Sequence, residues 1–185
     1  MLKEGTTILG IDPGTNLLGF GVIRIEGKKP HFVAMGAVDM RKEKDAYSKL
    51  NKIFTQIGNV CDMYSPDEMA LESPFYGKNV QVVLKLGRAQ GAAMLAAVSR
   101  NIPITEYAPR KAKESVTGNG AASKTQVSTI LQKILNIKIE EEHLDATDAL
   151  AIALCHYYEK TNPLSGIKKS GSWEKFIADN PDRVK

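Results

Sequence analysis

Cysteine is nearly missing from this chain of 185 residues: only Cys61 and Cys155 occur, with no C-x-x-C pair and no Cys/His cluster. A disulfide scaffold, a zinc finger and a thiol redox centre are therefore excluded, and both thiols read as reduced core residues. Long apolar runs are also missing. The longest, around Gly91 to Val98, is far too short to cross a bilayer. The first residues, Met1-Leu2-Lys3-Glu4-Gly5, lack the apolar segment of a signal peptide, so a cytoplasmic location is expected. There is no internal repeat and no low-complexity segment. What remains is ordinary globular composition, 43% hydrophobic and 25% charged, enough to bury one core and too short for two. Residues 1–160 are expected to form the domain and residues 161–185, rich in Gly, Ser, Asn and Lys, a basic tail.

Net charge is modest at +4, but it is unevenly placed. Between Tyr76 and Lys133 there are nine basic residues, among them Lys78, Lys85, Arg88, Arg110, Lys113 and Lys124, against only Glu106 and Glu114. Such a local excess suits a polyanion, and those six are the candidates for contact with a nucleic-acid backbone. Charge alone leaves an ordinary solvated face equally plausible.

Three apolar runs, Thr6 to Ile11, Gly19 to Ile25 and His31 to Val38, are separated by the turn sequences Asp12-Pro13-Gly14-Thr15 and Gly27-Lys28-Lys29-Pro30 and predict an antiparallel meander. The period then changes. Leu50, Ile53, Phe54, Ile57 and Val60 recur at helical spacing within 46–63. Glu68 to Leu71 predicts a fourth strand, residues 79–100 a long helix and Ile104 to Tyr107 a fifth strand. Helices over 124–135, capped by Ser123, and 145–158 complete the pattern. This order implies an α/β, ribonuclease H-like architecture: a mixed five-stranded sheet with helices on both faces.

Four acids stand where carboxylates are costly unless used. Asp12 ends the first apolar strand and Glu72 ends the fourth. Asp145 and Asp148, three residues apart, share one face at a helix start, beside the small residues Ala146, Ala149 and Ala151. Each taken alone has a plain explanation, a turn or a helix-dipole preference. Together they predict a converging cluster that needs a divalent cation to offset its repulsion. Oxygen-only donors favour Mg²⁺ or Mn²⁺ over zinc. Two such ions roughly 4 Å apart would support in-line hydrolysis of a phosphodiester.

These residues lie in blocks that resemble a known family. Ile8-Leu9-Gly10-Ile11-Asp12-Pro13-Gly14-Thr15, Gly19-Phe20-Gly21-Val22-Ile23, Leu71-Glu72-Ser73-Pro74-Phe75, Leu84-Lys85-Leu86-Gly87-Arg88, Glu106-Tyr107-Ala108-Pro109-Arg110 and Asp145-Ala146-Thr147-Asp148-Ala149-Leu150-Ala151 are similar, in order, to the blocks of the RuvC-type Holliday junction resolvases. The resemblance implies a homodimeric, Mg²⁺-dependent endonuclease that symmetrically nicks two opposing strands of four-way junction DNA, with a branch-migration motor as partner. It places Asp12, Glu72, Asp145 and Asp148 as metal-binding acids. It sets Phe75 against bases at the junction and Lys113 and Lys124 near the scissile phosphate. The long helix after Glu72 would lie at the dimer interface, with Gly87, Gly91, Ala92, Ala93, Ala96 and Ala97 permitting close contact. Read from the residues alone, Phe75 favours core packing, whereas an exposed aromatic leaving that strand can stack on a base for about 1 to 3 kcal/mol. Lys113, just before Thr117-Gly118-Asn119-Gly120, is expected beside a flexible loop, and Lys124 at a helix N-terminus that also favours phosphate.

Other functions compete. Gly118 to Thr125 nearly matches a nucleotide-binding P-loop, but Ser123 replaces its second glycine and no strand leads into it. The hairpin at Asp12-Pro13-Gly14-Thr15 also suits an actin-like or sugar-kinase ATPase, a class that needs two such domains. A junction-binding protein without catalysis is the third possibility.

Overall fold

The computed structural model describes residues 2–73, 79–140 and 146–162. Its elements run β1 (Thr7–Asp12), β2 (Leu17–Glu26), β3 (Lys29–Asp39), α1 (Ala46–Tyr64), β4 (Glu68–Glu72), α2 (Val80–Val98), β5 (Ile104–Tyr107), α3 (Pro109–Thr117), α4 (Lys124–Leu135) and α5 (Thr147–Thr161). The five strands form one sheet in the order β3-β2-β1-β4-β5. β1, β2 and β3 pair antiparallel, whereas β4 pairs parallel to β1 and β5 parallel to β4. This is the expected ribonuclease H-like arrangement.

Strand alternation divides the core. Leu9 and Ile11 of β1, with Met69 and Leu71 of β4, face α1 and α2. Ile8 and Ala70 face the opposite layer, built on α5 with Ala112 and Val116 of α3 and Val127 and Leu131 of α4. Asp12 and Glu72 keep the parity of Ile8 and Ala70, and so belong to the α5 side. Since β1 and β4 are parallel, with Ile11 opposite Leu71, these two acids end neighbouring strands at the same edge of the sheet.

Gly10 fixes how close α5 comes. A Cβ there would run into the carbonyl oxygen of Ala149 and stand 2.8 Å from the amide nitrogen of Ala153, so the helix backbone rests directly on β1. Gly21 does the same on β2, beneath Leu150. Small residues thus lay the first turn of α5, which carries Asp148, against the end of β1.

Two expectations are refined. Lys113 lies on a helix not expected from the sequence, α3, which runs up to the loop that begins at Gly118; Pro109 at its first position suits a helix start and Gly118, at φ +74°, ends it. The small residues of α2 also face two ways. Ala93, Ala96 and Ala97 are buried against the chain's own sheet, while Gly87 and Gly91 are exposed with open space where a Cβ would stand. None of the described helices is long and apolar enough to cross a membrane.

Candidate active site

Glu72 is where the electrostatics concentrate. Burial pushes its carboxyl up to about 8, and the charges of Asp12 and Asp148 push in the same direction, against the opposing pull of Lys113 and Lys124. Four residues from four other elements, β1, α5, α3 and α4, therefore act on Glu72 of β4 at one edge of the sheet. Lys124 Nζ lies 2.8 Å from Asp148 Oδ2. This ammonium holds the carboxylate as a bound cation would.

The lysines are held by their helices. α3 carries the half-buried Lys113 one residue after Ala112, whose side chain is buried against the α5 layer. Lys124 opens α4 behind a capping box: Ser123 Oγ accepts from Gln126 N at 3.2 Å, and Gln126 Oε1 accepts from Ser123 N at 2.9 Å. The surroundings of this helix start do not suit the P-loop reading of Gly118 to Thr125. The segment follows a helix rather than a strand, and its lysine is committed to Asp148.

Other candidates fall elsewhere. Lys85 and Arg88 are exposed on α2 and face the other side of the sheet, where they line a groove of about 490 Å³ with Gly14, Thr15 and Asn16. Arg110 is exposed at the start of α3 and lies over Gly120. Phe75, Lys78 and Asp145 lie outside the described residues, as does the segment from 163 onward with Trp173. Among the described residues no three His, Cys, Asp or Glu side chains form a ready-made metal cage. The three carboxylates that interact instead leave an all-oxygen donor set whose repulsion a hard divalent cation would relieve.

A second polar cluster was not foreseen. His156, fully buried on α5, lies 2.8 Å from both the Tyr107 hydroxyl and Glu68 Oε2, and Lys160 Nζ reaches the same Glu68 oxygen at 2.7 Å. A neutral imidazole protonated at Nε2 satisfies both ring bonds, accepting from Tyr107 and donating to Glu68. A lone histidine in an apolar helix gives no sign in sequence of the partners the fold brings to it.

The family model for Crossover junction endodeoxyribonuclease RuvC matches residues 8–156. The chain belongs to the RuvC family. It is 53% identical over 180 residues to the RuvC of Bacteroides fragilis, covering 96% of this chain and 95% of that one. With the RuvC of Christiangramia forsetii the identity is 50% over 185 residues, covering 100% and 96%. Among solved structures, the fold superposes on Thermus thermophilus RuvC in complex with a Holliday junction substrate, with a TM-score of 0.77 and 29% identity over 84% of this chain and 94% of that chain. The RuvC match takes in both strand-end acids and both lysines that act on Glu72.

Proposed function

We propose that the chain is a Holliday junction resolvase, an endonuclease that hydrolyses one phosphodiester in each of two opposing strands of a four-way DNA junction. The observation that carries this reading is that Asp12 and Asp148, from two other elements, both act on the half-buried Glu72, with Lys113 and Lys124 opposing them. Bare acids repel a phosphate; acids bordered by lysines and loaded with cations attract one.

Asp12, Glu72 and Asp148, joined by Asp145, would hold two Mg²⁺ ions, with Mn²⁺ able to substitute. When bound, such ions would activate a water and stabilise the leaving oxygen. Every other task falls to the chain. Glu72, with its carboxyl raised to about 8, is largely protonated near neutral pH, and an arriving cation would favour its ionised form. Lys124, paired with Asp148 through a largely exposed side chain, would be drawn toward a phosphate once a cation offsets that carboxylate. Lys113, held on α3, offers a second ammonium to the scissile strand. Phe75 would stack on a base at the junction, and Lys78 and Arg110 would hold the backbone beyond.

Two opposing nicks require two sites, and α2 offers the surface to pair them. Val80, Leu84, Leu95 and Val98 are 67%, 51%, 58% and 58% exposed and recur with Gly87 and Gly91 on one stripe at heptad-like spacing. A second copy of this chain would cover that stripe. A branch-migration motor completes the partners suggested by the resemblance, with the cytoplasm as the compartment and residues 161–185 as an appended tail.

The test is nicking of a synthetic four-way junction with Mg²⁺, set against linear duplex of the same sequence. Paired, symmetric nicks confined to the junction are expected. Binding without nicking by the intact chain, with Mg²⁺ or Mn²⁺ present, would make it a junction-binding protein instead.

A further inference from the structure

The groove on the α1/α2 side is lined by more cations than acids. Two acids line it against four cations; Glu43 is paired with a lysine, and Asp45 caps a helix while keeping its charge. Glu43 Oε1 accepts from Lys52 Nζ at 2.8 Å, and Asp45 caps α1 through Ser48 N at 2.9 Å and Ser48 Oγ at 2.8 Å. Its cations are Lys44, Lys49, Lys85 and Arg88. Among the described residues Lys49 Nζ meets neutral oxygens, Thr15 O at 3.2 Å and Asn16 Oδ1 at 3.0 Å, rather than a carboxylate. Lys44, Lys85 and Arg88 are exposed and enter none of the ion pairs among the described residues. The groove thus presents more positive charge than its own acids neutralise.

Its position is equally specific. One wall is the β1–β2 hairpin loop that begins directly after Asp12. That wall is stiff: Asn16 O accepts from Met40 N at 2.8 Å, Lys49 pins Thr15 and Asn16, and a Cβ at Gly14 would collide with the carbonyl of Leu17. The carboxylates lie on the α5 side of this hairpin and the groove on the α1/α2 side, at the same edge of the sheet. A strand that reaches the carboxylates and continues over residues 13–16 descends into the groove.

We propose that this groove holds the DNA backbone that adjoins the cleaved phosphodiester, with Lys44 on one wall and Lys85 and Arg88 on the other bracketing its phosphates. The proposal rests on the junction-nicking reading and adds to it a second contact, across the hairpin from the acids. Phosphate contacts of this kind set register and orientation rather than sequence preference.

The experiment measures binding of a fluorescent four-way junction by anisotropy, without divalent metal, over a range of salt. The triple variant Lys44→Ala, Lys85→Ala, Arg88→Ala is expected to bind about tenfold or more weakly near 0.1 M salt. Its slope of log affinity against log salt should be shallower by roughly 2 to 3, and that of Lys44→Ala alone by about 1. All three positions are exposed, so folding should persist, and melting temperature checks it. An unchanged affinity and slope in a folded triple variant overturns the proposal. A second arm attaches a photo-crosslinker at Lys44→Cys; Cys61 and Cys155 are buried, with burial raising both thiols, so labelling is selective. Crosslinks are expected on the strand adjoining the nick, and crosslinks scattered over all arms count against it. A chain that binds DNA with these slopes but never nicks defeats the nuclease reading while leaving the groove intact.

Discussion

Strand β4 carries two glutamates on one face, Glu68 and Glu72, four residues apart and both beneath α5. Burial opposes ionisation at each, yet the outcomes are opposite. At Glu68 the hydrogen bonds from Lys160 and His156 overcome burial and hold the carboxyl below its usual range. At Glu72 the neighbours include Asp12 and Asp148, and the carboxyl rises to about 8. The first glutamate is satisfied within the chain and belongs to the fold. The second is left in electrostatic deficit, which the cation proposed for this sheet edge would relieve.

The contrast breaks most sharply at the acids themselves. Asp12→Asn or Asp148→Asn is expected to cut junction nicking by about 10³-fold or more while junction binding persists, since each change removes a cation donor and also a charge that repels phosphate. Nicking rates and binding isotherms on the same junction check this. Loss of binding together with nicking would remove these residues from the catalytic role.

At the other end of α5 the expected loss is of stability. His156→Ala deletes a fully buried ring and leaves the Tyr107 hydroxyl and one Glu68 contact unmade, at a cost of about 3 kcal/mol. Urea unfolding measures it. A midpoint that does not move would show that the cluster closes on its own around the missing ring.

Gly10→Ala tests the element that joins the two clusters. The added methyl has no room under Ala149 and Ala153, so α5 must shift away from β1. We expect a loss of roughly 1 to 3 kcal/mol. We also expect a higher Mg²⁺ requirement for nicking, because Asp148 moves with the helix. Unfolding curves and Mg²⁺ titrations of nicking separate the two effects.

Much of this was legible in the residues because it rests on short-range signals. The turn at Asp12-Pro13-Gly14, the change from strand to helix period near residue 46 and the Ser123 cap are local, and the structure follows them. The position of Asp12 and Glu72 at strand ends was equally local. Three features depended on tertiary contacts. Helix α3 is short and polar, with little more than Ala112 and Val116, four residues apart, to mark its inner face, and is stabilised by docking them onto α5. The inward turn of Ala93, Ala96 and Ala97, away from Gly87 and Gly91, is set by which face of α2 meets the sheet. The partners of His156 come from β4 and β5, 88 and 49 residues away in sequence, where no spacing rule reaches.

The smallest expected effect has an unusual sign. Glu72 has a folded value near 8 against an ordinary 4.5, so between those values the folded chain binds more protons than the unfolded one. Stability of the metal-free protein should therefore decline as pH rises from about 4.5 to about 8. Glu68, whose carboxyl is lowered, acts in the opposite sense and only at acid pH. Glu72→Gln removes the first slope and keeps the second. In a chelator at pH 8 to 9 the variant should be more stable than the parent by about 1 to 2 kcal/mol, a few degrees in Tm, and near pH 4.5 the two should converge. Saturating Mg²⁺ should reverse the order, raising the Tm of the parent more than that of the variant, because bound cations stabilise the state that binds them. A variant less stable than the parent at every pH, with or without metal, would mean that Glu72 is a satisfied structural carboxylate like Glu68, and the distinction between the two glutamates would be lost.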